Sequence, residues 1–163
     1  MVGVLQFVIR TLQNFQVRSR KAQHLELGRR GETEGYFYLK QLGYRIVATN
    51  FRAPHDHGEI DLIGWDGEVL CFIEVKTRTD VSFAPPSAAV TQEKQGHILS
   101  VARRYLRHLP LRPNCRFDIL SVVPSSVGGP LQFTLRRGAF SWQTGQRKSK
   151  FSNFYRRDYP GRR

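Results

Sequence analysis

The chain has 163 residues, 40% of them hydrophobic and 12% aromatic, which suits one compact domain with a real core and excludes a disordered tail. A formal charge of +13 favours a polyanionic partner such as nucleic acid, although ribosomal RNA or an anionic membrane would satisfy the same number. The two cysteines, Cys71 and Cys115, read as reduced thiols, and no run approaches the roughly 20 apolar residues that span a bilayer, so a cytoplasmic protein is expected.

Residues 1 to 27 hold an apolar start, "MVGVLQFVIR", and the basic "RSRKAQH". The start lacks a basic region ahead of it and a small-residue cleavage site after it, so it is not read as a secretion signal. This segment is expected to be a basic amphipathic extension to a core at 28–140. From Leu25 to Leu42 the pattern is helical, with Gly28, Gly35, Leu39 and Leu42 recurring at steps of three and four, and Gly43 is a natural stop. "YRIVATNF", "EIDLIGW" and "EVLCFIEVKTR" read as three strands, with Asp66-Gly67 as the hairpin signal between the last two. A loop with Pro85 and Pro86 follows. Thr91 caps a second helix with Ile98, Val101, Ala102, Tyr105 and Leu109 on one face. "CRFDILSVVP" and "LQFTLRR" add two strands around a Gly-Gly-Pro turn. The order predicts an α/β domain, a mixed sheet flanked by helices. The tail, 141–163, interleaves Arg and Lys with Phe151, Phe154, Tyr155 and Tyr159. It is either a flexible nucleic-acid-binding arm or a solubilising tail.

The apolar run "VLCFIEVK" contains two charges, Glu74 and Lys76, and a buried ion needs a partner, a metal or a function. A hairpin closed by Asp66-Gly67 pairs Glu59 with Glu74, Asp61 with Phe72 and Ile63 with Leu70. Asp61, Glu74 and Lys76 then share a face, with Asp61 diagonal to Glu74 at roughly 7 Å. Two converging carboxylates suit a hard divalent cation, Mg2+ or Mn2+, and with an ammonium nearby they suit metal-assisted phosphodiester hydrolysis. The plainer alternative is an edge-strand ion pair between Glu74 and Lys76 with Asp61 solvated. Glu32 lies within the small and apolar helical stripe and is expected to point toward the sheet, while Glu34, roughly 200° around the helix, faces solvent.

"GRRGETEGYFYLKQLGYRIVATNFR", "GEIDLI", "FIEVKTR", "AVTQEKQ" and "RFDILSV", in this order and spacing, resemble the YraN family of endonuclease-like bacterial proteins over roughly Gly28 to Val123. That family is similar to archaeal Holliday junction resolvases. The resemblance implies a restriction-endonuclease-like fold of the PD-(D/E)XK class and a homodimer as one candidate assembly. It makes Glu32 the first-helix acid, Asp61 the motif aspartate, and Glu74 with Lys76 the E-x-K pair. Metal ligation by Asp61, Glu74, Glu32 and the Val75 carbonyl is implied, as is activation of the attacking water by Lys76. Two departures stand out. "APHDHG" puts His55, Asp56 and His57 where basic residues are expected, and Gly35-Tyr36 replace small alanines. The triplet is read as a solvated loop near the cleft rather than a transition-metal site. Glu59 is a candidate auxiliary ligand, and Gln92 and Lys94 either enter the site or begin the helix.

The function expected is magnesium- or manganese-dependent binding and cleavage of branched or structured DNA, with RNA as a second candidate partner. Arg29, Arg30, Arg78, Lys94, Arg103 and Arg104 are the candidate phosphate contacts. The rival is a non-catalytic nucleic-acid-binding accessory protein that uses the same basic surface. A third class is an interaction module held by its tail to a membrane or partner.

Overall fold

The computed structural model describes residues 2–56, 58–78, 90–126 and 129–142, with side chains from residue 22 onward. The expectations for Pro85, Pro86, His57 and the basic aromatic tail from residue 143 lie outside these residues. The elements run α1 (Val2–Gln41), β1 (Arg45–Phe51), β2 (Ile60–Asp66), β3 (Val69–Thr77), α2 (Gln92–Arg107), β4 (Cys115–Pro124) and β5 (Leu131–Phe140). The five strands form one sheet in chain order, β1-β2-β3-β4-β5. All neighbours are antiparallel except β3 and β4, which are parallel, as a crossover through α2 requires. The expected mixed α/β sheet flanked by helices is the fold observed.

Each helix covers a different set of strand residues. Ile98, Leu99, Val101, Ala102 and Leu106 of α2 pack with Leu70, Phe72, Phe117 and Ile119. Phe72 and Phe117 stack there with centroids 5.4 Å apart. Thr91 caps α2 by accepting a hydrogen bond from the Lys94 amide, as expected. Leu109 lies past the end of α2 but still packs against this cluster. Leu39 of α1 packs with Leu62, Cys71, Ile73, Val75, Leu120 and Val122. Alternate residues of β3 thus face opposite layers, and Leu70 to Val75 are buried without a break.

Three local expectations are corrected. First, α1 is one continuous helix from Val2 rather than a helix beginning near Leu25. No proline interrupts the earlier segment. Second, its buried stripe is Gly31, Gly35 and Leu39, whereas Leu42 is exposed. A β-carbon on Gly31 would sit 2.0 Å from the Thr77 hydroxyl oxygen, and one on Gly35 would sit 2.9 Å from a Leu120 methyl. These glycines let α1 lie directly on the end of β3. Third, the hairpin register is shifted by two. Leu62 pairs with Ile73, Trp65 with Leu70 and Asp66 with Val69, so the turn residues are Gly67-Glu68. Gly67 has φ +60 in the first central position, the place a II′ turn reserves for glycine. Asp66 stays in the strand, where Arg116 holds it at 2.8 Å.

A polar cluster that sequence analysis did not anticipate lies across β2, β4 and β5. Asp118 has no exposed surface. Its Oδ1 accepts from Arg116 Nε and from the Gly138 amide, both at 2.8 Å, and its Oδ2 accepts from Arg116 Nη2 at 3.0 Å. Arg116 also donates to the Tyr44 hydroxyl at 2.9 Å and to Asp66. Gly138 has φ +61, and the β4–β5 register shifts there, so its amide can turn toward the acid.

Two stability outcomes are expected. Asp118→Ala strands the Gly138 amide and leaves Arg116 with only Asp66 and the Tyr44 hydroxyl, and should lower unfolding free energy by about 3 kcal/mol in urea titrations. Gly28→Ala, where a β-carbon meets open space, should stabilise by up to about 1 kcal/mol through helix propensity. Gly31→Ala should destabilise despite the same propensity gain, and Thr77→Ala should relieve that loss in a double-mutant cycle.

Candidate functional site

The long apolar run of β3 ends in Glu74, which is only 5% exposed, and Asp61 beside it on β2 is 6% exposed. The shifted register, continued one residue beyond Leu62↔Ile73, sets Asp61 directly across from Glu74 rather than diagonal to it. Strand parity is unchanged, so the two acids still converge. Asp61 Oδ2 accepts a hydrogen bond of 2.7 Å from the Val75 amide, which fixes its carboxylate against β3. Glu59, expected opposite Glu74, instead lies two residues away in this register and binds Arg52 at 2.8 Å.

Glu32 and Asp61 line the same cleft between α1 and the β1–β2 edge. Burial raises the Glu32 carboxyl above its ordinary value, and the negative charge of Asp61 raises it further. Glu34 is exposed and pairs with Arg30 at 3.5 Å. Of the two helix acids, Glu32 is the one brought to Asp61.

The ammonium closest to the acids belongs to Lys94 rather than Lys76. Lys94 Nζ, at the start of α2, lies 3.2 Å from Glu74 Oε2. Lys76 is exposed at the end of β3 and acts on Asp61 and Glu74 only as a lesser electrostatic influence. Beyond this ammonium, Glu74 Oε2 has no hydrogen-bond partner among the described residues although it is fully buried. Lys94 sits one turn into α2, so the Thr91 cap positions the ammonium as well as the helix.

The other expected phosphate contacts vary in availability. Arg29 is exposed, whereas Arg30 also donates to the Gly129 carbonyl at 3.2 Å. Arg103 lies over the Trp142 ring at 5.3 Å. Arg104 donates to the Pro54 carbonyl and pairs with Asp56, which also accepts from Ser100 at 2.7 Å. Asp56 is thus anchored to α2 rather than solvated in its loop. Arg78 is half-buried and its amide donates to the Val122 carbonyl. Gln92 is exposed in the first turn of α2.

Burial pushes the Glu74 carboxyl up from 4.5 to about 7, with Asp61 adding to the rise and Lys94 opposing it. Asp61 is likewise raised, chiefly by burial, against the lowering effect of the Val75 amide. Between these values the folded protein binds a proton at Glu74 that the unfolded chain has released. The associated stability is complete below about pH 4.5 and is lost as pH rises through 7. In chelator, thermal stability should fall between pH 5 and 8. Glu74→Gln should flatten that fall and be the more stable protein at pH 8 by roughly 3 kcal/mol, the interval from 4.5 to about 7 at about 1.36 kcal/mol per pH unit. Identical pH slopes in melting curves of the two proteins would mean that Glu74 is not the desolvated acid.

A model of the family described as "Uncharacterised protein family UPF0102" matches residues 31–122. That span runs from the glycine on which α1 meets β3 to the last buried residue of β4, and includes Glu32, Asp61, Glu74, Lys94 and Asp118. A UPF0102 protein of Koribacter versatilis is 46% identical over 117 residues, which are 72% of this chain and 82% of that protein. One from Chlorobium limicola is 45% identical over 102 residues, 62% of this chain and 78% of its own. Another, from Caldicellulosiruptor saccharolyticus, is 38% identical over 117 residues, 71% of this chain and 97% of its own. Strands β1 to β3, most of β4, all of α2 and the last turns of α1 thus fall within the matched region with the acids they carry, and the chain belongs to the UPF0102 family, also called YraN.

Proposed function

We propose that the protein is a metal-dependent endonuclease-like hydrolase of the restriction-endonuclease-like class, which binds and cleaves phosphodiester bonds in branched or structured DNA. The observation that carries this reading is the pair Asp61 and Glu74: two buried carboxylates meeting at a strand end, one with a buried oxygen that, among the described residues, only the Lys94 ammonium approaches. The formal charge of +13 supports an anionic polymer as substrate.

Among the described residues no three His, Cys, Asp or Glu side chains stand close enough to hold a metal by themselves. The donor set nevertheless fits a hard cation such as Mg2+ or Mn2+, which accepts a few carboxylate oxygens and fills its sphere with carbonyls, water and phosphate. Asp61 and Glu74 would hold it, with the Val75 carbonyl and Glu32 as further oxygen donors. When bound, such an ion polarises the phosphate and acidifies a water.

The chain's own groups do the remaining work. The Val75 amide orients Asp61. Lys94 lowers the repulsion between the acids and opposes the rise of the Glu74 carboxyl, which favours the ionised form that a metal requires. Glu32, whose carboxyl is raised, can take a proton from water nearer neutrality than an ordinary glutamate. Lys76, exposed at the rim, is available to a phosphate oxygen. The Lys94–Glu74 pair also favours a second reading, a non-catalytic nucleic-acid-binding accessory in which the ammonium permanently fills the cation's place.

A nuclease panel of branched, flapped, single-stranded and duplex DNA with Mg2+ or Mn2+ separates the two. Metal-dependent cleavage by the parent protein is expected. Glu74→Ala should abolish it while leaving DNA binding intact or stronger. Glu32→Gln should reduce single-turnover cleavage by about two orders of magnitude or more, and Glu34→Gln should change it little. Tight binding without cleavage of any substrate by either metal would favour the accessory reading.

A further inference from the structure

The cleft that joins Glu32 to Asp61 extends beyond the acids. It encloses about 230 Å³ and is lined by Thr33, Tyr36 and Phe37 on α1 and by Thr49, Asn50 and Leu62 on the sheet. This is smaller than the roughly 300–1,000 Å³ of most small-molecule sites, and suits one ring system. Phe37 is 57% exposed and meets Tyr36 edge to face at 5.2 Å. A large aromatic ring left in water beside two acids is not explained by core packing.

From these features we propose that the cleft takes one unstacked nucleobase of the bound strand, placed beside the phosphate presented to Asp61 and Glu74. The inference rests on the nuclease reading and adds the substrate feature selected: a nucleotide freed from its stack, as at a junction, flap or bulge. The chemistry is complementary. Beyond the acids the cleft is lined by aromatic, aliphatic and neutral polar side chains, with no Lys or Arg among the described residues to hold a second phosphate, so its occupant is the neutral part of the nucleotide. Phe37 and Tyr36 offer ring surface for stacking. The exposed Thr33, Thr49 and Asn50 provide neutral donors and acceptors suited to a base edge. Asn50 has φ +49, a left-handed conformation uncommon outside glycine, at the rim where such an edge would arrive.

The test uses the full chain in chelator, so that binding is read without cleavage. A bulged duplex carries 5-iodouracil at its single unpaired position, and a fully paired duplex carries it at the equivalent place. Irradiation is expected to crosslink the bulged probe to Phe37 or Tyr36 and the paired probe to neither. In fluorescence anisotropy, Phe37→Ala should reduce the preference for bulged over paired duplex by about tenfold, the scale of one base–aromatic stack, while Phe37→Tyr should retain it. Crosslinks mapping elsewhere, or an unchanged preference in Phe37→Ala, would overturn the proposal. A shift in oligomeric state in Phe37→Ala without a change in preference would also overturn it, by assigning the ring to a contact between copies. Crosslinking and preference without cleavage under any metal would leave the base cleft standing and remove the hydrolase reading. Cleavage without preference would do the reverse.

Discussion

The whole arrangement depends on one constraint: β3 is covered by a helical layer on each face, yet its apolar run ends in an ionisable acid. Leu70 to Ile73 supply surface to both layers, and the hydrophobic effect then leaves Glu74 only 5% exposed. Its neighbours follow from that. Asp61 is held by the Val75 amide, Lys94 comes in from the cap of α2, and the glycines of α1 bring Glu32 onto the same strand end. An acid placed two residues later in β3 would be exposed, as Lys76 is.

Two buried acids on adjacent strands have opposite fates. Asp118 is saturated by Arg116 and the Gly138 amide, and such a group holds strands in register. Glu74 faces a single ammonium, and its buried Oε2 has no other partner among the described residues. The contrast separates a structural charge from one available to a ligand better than burial alone, since burial is nearly the same for both.

The layers of the fold were legible because periodicity and turn signals agreed over each element, and Glu32 was separable from Glu34 by helical period alone. The hairpin register was not, since Asp-Gly and Gly-Glu are both sound turn centres and the choice rests on Arg116, distant in sequence, retaining Asp66 in β2. Lys94 was ambiguous for a similar reason: a lysine one turn into a helix is ordinary until a strand end is known to lie against it. Asp118 carried a readable sign, an acid in "RFDILSV" with an arginine two residues before it on the same strand face. The buried-charge rule that singled out Glu74 applied equally there. The Tyr36–Phe37 cleft had no local signature, because Thr49 and Asn50 join it only through sheet pairing.

The strand order has a kinetic consequence. Because β1, β2 and β3 are adjacent in both chain and sheet, their pairing closes only short loops, as does that of β4 with β5. Only the parallel pair β3–β4, with Leu70 beside Cys115, must wait for the intervening crossover and α2 to be gathered in. The meander and the terminal hairpin can each assemble early, and their union is the late event. Asp61 and Glu74 meet within the meander, where the Val75 amide already serves Asp61, whereas the Lys94 ammonium reaches Glu74 only when α2 docks.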